Sequence, residues 1–145
     1  MTDKDIPILE KLGVDIGYKA THTKTITEED IALFAKVSGD YNPVHMSEEY
    51  AQKTLFGGRI AHGVIAVALL SAAMAKLPGL VILLNHSSRF LKPVRIGDTI
   101  TAVAEATNVR KEKGIVILKN TCINQNGETV VEGETTVRLY EAPSG

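Results

Sequence analysis

The stretch Gly63-Val-Ile-Ala-Val-Ala-Leu-Leu-Ser-Ala-Ala-Met-Ala75 decides the fold, because Ser71 is its only polar side chain. Alanine, leucine and methionine are among the best helix formers, and a breaker and a turn follow at Pro78 and Gly79. A helix that is apolar on every face has to be buried all round. It rises only about 20 Å, too short for a bilayer core about 30 Å thick. The rest of the chain is therefore expected to wrap around it.

The chain after Gly79 changes to the alternating pattern of β-strands. We predict strands over residues 80–90, 98–109, 115–124 and 129–140, and one more before the helix, over 18–25. The short connections, above all the Asn126-Gly127 hairpin signal, make the four later strands antiparallel neighbours or nearly so. A curved antiparallel sheet wrapped around a long apolar central helix accounts both for the strands and for the burial of the helix. The predicted fold class is α+β, a single hot-dog domain.

Composition fits one ordinary domain of a soluble protein. The chain has 145 residues, of which 44% are hydrophobic and 23% charged, and its formal net charge is -1. No global field therefore draws it to nucleic acid or a membrane surface. We expect residues 1–13 to be a loosely attached N-terminal arm and residues 14–145 to be the domain. One cysteine and the lack of a signal-peptide pattern predict a cytoplasmic location.

The segment before the apolar helix contains a turn with unusual chemistry. Thr27 precedes three acidic residues and is the expected N-cap of a helix over residues 28–37. Pro43 lacks a backbone donor and keeps Asn42 out of the α region. Residues 40–45 are therefore expected to lie outside any regular helix.

Asp40 and His45 are the candidate pair for chemistry. Helical spacing does not pair them, but a loop bent at Asn42-Pro43 brings them together. An aspartate beside a histidine holds one water, accepts its proton and returns a proton elsewhere. From spacing alone a structural alternative is slightly favoured, in which Asp40 and Asn42 cap turns and the histidine lies on the surface.

Four segments resemble one family. Phe34-Ala-Lys-Val-Ser-Gly-Asp-Tyr-Asn-Pro-Val-His45 looks like the hydratase-2 motif of the MaoC-like (R)-specific enoyl-CoA hydratases. The others, in the family's order, are Phe56-Gly-Gly-Arg-Ile-Ala-His-Gly63, Phe90-Leu-Lys-Pro-Val-Arg-Ile-Gly-Asp98 and Asn124-Gln-Asn-Gly-Glu128. The resemblance implies a hot-dog fold, a homodimer or higher homo-oligomer, and reversible hydration of a trans-2-enoyl thioester to the (R)-3-hydroxyacyl thioester. It also implies that Asp40 and His45 activate the water, with the assignment of base and acid left open.

Gly63 is the candidate for stabilising the charge that the reaction creates. Adding water at C3 pushes negative charge onto the thioester oxygen, which needs donors aimed at it. The first N–H groups of a helix have no internal partner and lie at the positive end of its dipole. Glycine also lets a carbonyl approach the backbone closely. The alternative is that Gly63 only permits tight packing.

Three further residues are expected to surround the substrate. Asn42 is expected to hold the loop or one member of the pair, and His62 to organise the segment before Gly63. Ser71 lies eight residues after Gly63, which places both on nearly one face of the helix, and in the family a serine at the matching place lines the site. The alternative is that the Ser71 hydroxyl bonds back to the carbonyl four residues earlier.

No metal and no separate cofactor are expected, since coenzyme A is part of the acyl-CoA substrate. The histidines show no metal-type spacing; they are His22, His45, His62 and His86. His86 stands where many members of the family carry glutamine. Three cations either meet the phosphates of coenzyme A or form a solvated edge; they are Arg89, Lys92 and Arg95.

Three rival functions share this fold class. A (3R)-hydroxyacyl-ACP dehydratase runs the same residues toward water loss, and a basic patch around the pocket mouth would favour it. A hot-dog thioesterase needs a carboxylate placed against the carbonyl, and Asp40-x-Asn42-Pro43-x-His45 is not its signature. A non-catalytic acyl-CoA-binding module would not need the Asp40 and His45 pair.

Overall fold

Five antiparallel strands form one sheet in the computed structural model, which describes residues 5–144. The strands are β1 (Lys19–Thr25), β2 (Leu80–Phe90), β3 (Thr99–Arg110), β4 (Ile115–Ile123) and β5 (Thr129–Tyr140). The helices are α1 (Ile8–Leu12), α2 (Glu28–Ser38), α3 (Pro43–Met46), α4 (Glu48–Gln52) and α5 (Gly63–Met74). The sheet curves around α5, which confirms the predicted α+β hot-dog architecture.

Helix α5 fills the centre of the core, as its apolar sequence predicts. Leu70 and Ala73 are fully buried and Met74 is 4% exposed. The expectation that α5 is buried all round is nevertheless wrong. Val64 is 50% exposed, and Ala68 and Ser71 on the same face are exposed too. The reason is that α5 packs chiefly against β1 and β3 and little against β2.

The order of the strands is β1-β3-β4-β5-β2, so β2 pairs with β5 and not with the next strand along the chain. The Leu91 N–H continues this pairing by donating to Val130 O (2.8 Å). The connection after β2 leads to β3, which pairs with β1 and β4 at the far side of the sheet. Strand β2 therefore lies at an edge of the sheet with one side unpaired.

The N-terminal segment is more firmly attached than expected. Residues 8–12 form α1, and Leu9 is fully buried in the hydrophobic core. The prediction of a loose arm is therefore wrong for this part, while residues 1–4 lie outside the described residues. No helix within residues 5–144 combines the length and the apolar character needed to cross a membrane.

Candidate active site

Helix α2 delivers Asp40 through a sharp turn at its end. The Thr27 and Asp30 side chains form a capping box at its start, as the acidic cluster suggested. Gly39 ends the helix in the left-handed region (φ 81°), and the Asp40 N–H donates to Ser38 Oγ (3.1 Å). Asp40 Oδ1 accepts the Asn42 N–H (3.1 Å), which fixes the carboxylate against the next turn.

His45 lies on α3, a single helical turn over Pro43–Met46, which differs from the expectation that residues 40–45 lie outside any regular helix. Asn42 is non-helical as predicted, but its side chain accepts the Val44 N–H and Pro43 begins the helix. Proline suits that first position, where a missing N–H costs nothing. The buried His45 ring donates from Nδ1 to Ile60 O (2.9 Å), because a carbonyl oxygen only accepts. In the neutral ring Nε2 is therefore the acceptor.

His62 ties the two segments together just before α5. Its Nε2–H donates to the main-chain oxygen of Asp40 (2.9 Å). Its ring lies against that of His45, with ring centres 4.1 Å apart, and beside Phe34 at 4.8 Å. His62 is 1% exposed, and its Nδ1 has no hydrogen-bond partner among the described residues. The expectation that His62 organises this segment fits these contacts.

Three acceptors converge at this point. One ligand atom each from Asp40, His45 and His62 lies within 4.8 Å of the other two. A carboxylate oxygen and the unprotonated nitrogen of a neutral imidazole both accept hydrogen bonds, so such a cluster can bind a water, and these residues are also the ones that could hold a metal ion. Sequence spacing could not reveal this cluster, since the three residues come from separate segments that only the fold unites.

Gly63 is the first residue of α5, and His62 provides no side-chain cap for it. The Gly63 N–H makes no hydrogen bond to another residue within 5–144. A free donor at the positive end of a helix attracts an oxygen that gains negative charge. A Cβ placed on Gly63 would lie 2.9 Å from Phe90 Cδ1, which is too close, so the Phe90 ring occupies the space that a side chain at residue 63 would need.

A cleft of about 430 Å³ opens in front of His45 and Gly63. Its walls are mainly apolar and include Phe56, Phe90 and Val131. Asp40 and His62 are not among its lining residues, so His45 is the member of the cluster that faces the cleft. An apolar cleft of this kind suits an acyl group.

The remaining predicted residues lie in different places. Asn42 is exposed and acts as the N-cap of α3. Ser71 is exposed on the open face of α5 and does not line the cleft, and its hydroxyl has no hydrogen bond to another described residue. Lys92 does line the cleft, paired with Glu128.

The other two candidate cations, Arg89 and Arg95, both have partners within the protein. Arg89 pairs with Glu132. Arg95 donates to the main-chain oxygens of Phe56 (2.7 Å) and Gly58 (3.1 Å), so its role is to hold the glycine loop.

Arg59 is a positioning residue that the sequence reading did not single out. Its Nε donates to His45 O (2.7 Å) and its Nη1 to Glu28 Oε1 (2.6 Å), and its side chain is only 15% exposed. It therefore links the start of α2 to α3. Its place in a glycine loop before an apolar helix gives no periodic signal, so only the fold shows this role.

Comparisons with known proteins agree with this geometry. A family model described as MaoC like domain matches residues 13–127. The chain is 47% identical over 125 residues to the (R)-specific enoyl-CoA hydratase of Rhodospirillum rubrum, a match that covers 85% of this chain and 86% of that protein. It is 35% identical over 137 residues to the 3-hydroxybutyryl-CoA dehydratase of Methylorubrum extorquens, covering 93% and 87%. The solved structure of the unliganded R-hydratase PhaJ1 from Pseudomonas aeruginosa superposes with a TM-score of 0.83 at 41% identity, covering 94% of this chain and 86% of that one. This chain therefore belongs to the MaoC-like domain family.

Proposed function

We propose that this protein is an (R)-specific enoyl-CoA hydratase, a hydro-lyase that adds water reversibly to a trans-2-enoyl-CoA and gives the (R)-3-hydroxyacyl-CoA. The observation that carries the proposal is that Asp40 and His45 bring ligand atoms within 4.8 Å of each other, while His45 and the start of α5 at Gly63 line the same cleft. The names of the relatives from Rhodospirillum rubrum and Methylorubrum extorquens support the same reaction class.

Asp40 and His45 activate the water. The carboxylate of Asp40 and Nε2 of His45 both accept hydrogen bonds, so each takes one hydrogen of a single water and leaves an oxygen lone pair for carbon C3. As the O–C3 bond forms, one of the two groups takes the proton that the water loses. A proton then reaches C2, so the overall change is the addition of one water across the double bond.

The Gly63 N–H stabilises the charge that appears during this step. Electrons from the C2=C3 bond move toward the thioester oxygen and give an enolate. The donor at the start of α5 and the helix dipole both favour that oxygen once it is negative. Removing a donor of this type typically costs about 10²–10³ in kcat. This charge stabilisation, together with the water held by two side chains, supplies the chemistry without a separate cofactor, so we propose that coenzyme A enters only as part of the substrate.

Hydration of crotonyl-CoA tests the proposal, followed by ultraviolet loss of the conjugated thioester and by chiral analysis of the product. We expect conversion to (R)-3-hydroxybutyryl-CoA. Asp40→Asn should lower kcat/KM by about 10²–10⁴, the usual contribution of a general acid or base. The matched control is Asp15→Asn, the same change on an exposed loop residue before β1, which should keep wild-type activity.

Each alternative function gives a different result. Release of free coenzyme A would identify a thioesterase, and turnover of acyl-carrier-protein substrates alone would identify the dehydratase. Tight binding of acyl-CoA with no turnover would identify a binding module. Any of these results, or an S-configured product, would overturn the proposed activity.

We also propose that the protein acts as a homo-oligomer in which a second copy covers β2. Large apolar side chains on this edge strand are exposed, including Leu83 (55%), Leu84 (52%) and Phe90 (56%). A long exposed apolar edge is a pairing surface that stable proteins cover. Light scattering should give a dimer or larger species, and Ile82→Lys with Leu84→Lys should give a monomer; a monomeric wild-type protein would contradict this.

We propose the cytoplasm as its compartment, where the single cysteine stays reduced.

A further inference from the structure

A polar cluster lies on the helix-facing side of the sheet, away from the catalytic groups. Asn120 on β4 is fully buried and Thr135 on β5 is 1% exposed, while His86 and Ser88 on β2 are half-buried. His86 Nδ1 lies 2.6 Å from Thr135 Oγ1, and its Nε2 lies 2.6 Å from Ser88 Oγ. Asn120 Nδ2 donates to the same Thr135 hydroxyl. Such groups are unusual on a face that otherwise carries core side chains.

The hydrogen bonds in this cluster form one continuous chain. The Asn120 amide donates to the Thr135 hydroxyl, and Thr135 Oγ1 bonds in turn to Nδ1 of His86. Nε2 of His86 bonds to the Ser88 hydroxyl. Either neutral tautomer of the ring is satisfied between two hydroxyls, because each hydroxyl can donate or accept. The two side chains that reach the surface are thus held in place from behind by Thr135 and Asn120.

The cluster continues the row of paired β2 and β5 residues that begins at the cleft. Phe90 lies opposite Val131, and both line the cleft. On the same faces, the next pairs are Ser88 with Gly133 and then His86 with Thr135. At about 3.3 Å per residue, Ser88 lies roughly 7 Å and His86 roughly 13 Å beyond Phe90.

One course for an acyl chain leads from Gly63 along β2, because the Phe90 ring lies where a Cβ of Gly63 would be. Behind α5 the way is filled, since Leu70 is fully buried and Met74 is 4% exposed. A chain whose thioester oxygen meets the Gly63 N–H and that follows β2 from Phe90 runs toward Ser88.

We propose that His86 and Ser88, held by Thr135 and Asn120, form a polar end wall of the acyl site that restricts the enzyme to short-chain enoyl thioesters. This inference rests on the proposed hydratase function. An extended chain of about six to eight carbons covers the roughly 7 Å of β2 between Phe90 and Ser88. Four-carbon and six-carbon substrates fit in front of the wall, and longer chains press methylene groups against polar atoms.

The wall has a measurable consequence for specificity. On an apolar surface each buried methylene group raises kcat/KM about fourfold, so chain length would be rewarded. Against the wall a methylene group displaces water from a hydroxyl and an imidazole and gains no hydrogen bond in return. We expect kcat/KM to be highest for four or six carbons and at least about tenfold lower for ten carbons.

The experiment compares kcat/KM for the four-, six-, eight- and ten-carbon trans-2-enoyl-CoAs in wild-type protein and four variants. His86→Leu and Ser88→Ala should raise the ten-carbon to four-carbon ratio by about tenfold or more. His86→Gln keeps a polar end and should leave the ratio unchanged. The matched control is Thr136→Val, which changes β5 on its opposite face, beside Asn85.

Several outcomes would overturn the inference. A wild-type preference for eight or ten carbons would do so, and so would a ratio that stays unchanged in folded Ser88→Ala protein, even if His86→Leu failed to fold. A shift of the same size in His86→Gln or Thr136→Val would show a general effect on packing and would equally reject the wall. Failure of the proposed function looks different, because no enoyl-CoA, crotonyl-CoA included, would then be hydrated.

Discussion

Gly63→Ala isolates the oxyanion site, because it adds one methyl group at the start of α5 and removes no polar group. The new Cβ would lie 2.9 Å from Cδ1 and 3.1 Å from Cε1 of Phe90, where ordinary contacts are 3.4–4 Å. The ring therefore has to withdraw by about 0.5 Å or more. Phe90 is 56% exposed, so it has room to move. The backbone at Gly63 is helical, and alanine is favoured over glycine in a helix by about 1 kcal/mol, which offsets the contact.

The catalytic loss should be far larger than the loss of stability. A methyl group beside the N–H keeps the thioester oxygen from its donor, so we expect kcat/KM for crotonyl-CoA to fall by about 10²–10³, or 2.7–4 kcal/mol. The melting temperature should change by only about 2–4 °C. Gly58→Ala serves as a control, since its Cβ would meet the flexible Glu48 Oε1 at 3.2 Å, away from the cleft; it should keep near wild-type activity.

Two results would refute this reasoning. Gly63→Ala with more than a third of wild-type kcat/KM would show that the close approach to Gly63 is not needed. Recovery of activity in the double variant Gly63→Ala with Phe90→Ala would assign the loss to the displaced ring and not to the oxyanion donor.

Three further outcomes are expected. Burial lowers the pKa of His86 below its ordinary value of 6.5, so the unfolded chain takes up the proton first as the pH falls. Below about pH 6.5 the melting temperature should therefore drop a few degrees more in wild type than in His86→Gln. Equal dependence of the melting temperature on pH in the two proteins would contradict this. Burial raises the pKa of the Cys122 thiol to about 12, so an aromatic disulfide reagent at pH 8 should react only after unfolding, and rapid reaction of native protein would show that the thiol is accessible. Dialysis against EDTA should leave crotonyl-CoA hydration unchanged because Asp40, His45 and Gly63 supply the chemistry; a loss that Zn²⁺ restores would instead assign a metal to the cluster of Asp40, His45 and His62.

Local signals in the sequence predicted most of the elements. Apolar continuity predicted the central helix over residues 63–75, against Gly63–Met74 in the structure, and alternation predicted the strands to within a residue or two. Two features depended on long-range packing and escaped. The pairing of β2 with β5 leaves no trace in loop lengths. The open face of α5 follows from where the sheet stops, while the apolar helix sequence gives no sign of it.

The candidate site was predicted in part. The motif around Asp40 and His45 predicted their proximity, and the start of the apolar helix predicted the free N–H at Gly63. The sequence could not place His62 against the Asp40 carbonyl or Arg59 against His45, because each contact joins segments more than ten residues apart. Ser71 shows the opposite error, since helical periodicity put it on the face of Gly63 but could not show that the cleft ends before it reaches Ser71.

The bonds that fix the candidate site have a consequence for how its chemistry could diversify. His62 holds Asp40 by its main-chain oxygen, and Arg59 holds His45 in the same way. Main-chain oxygens are present whatever side chain the residue carries. These two hydrogen bonds therefore persist when the side chain at position 40 or 45 is exchanged. New activities on this fold can then arise by single substitutions that leave the backbone of residues 40–45 in place.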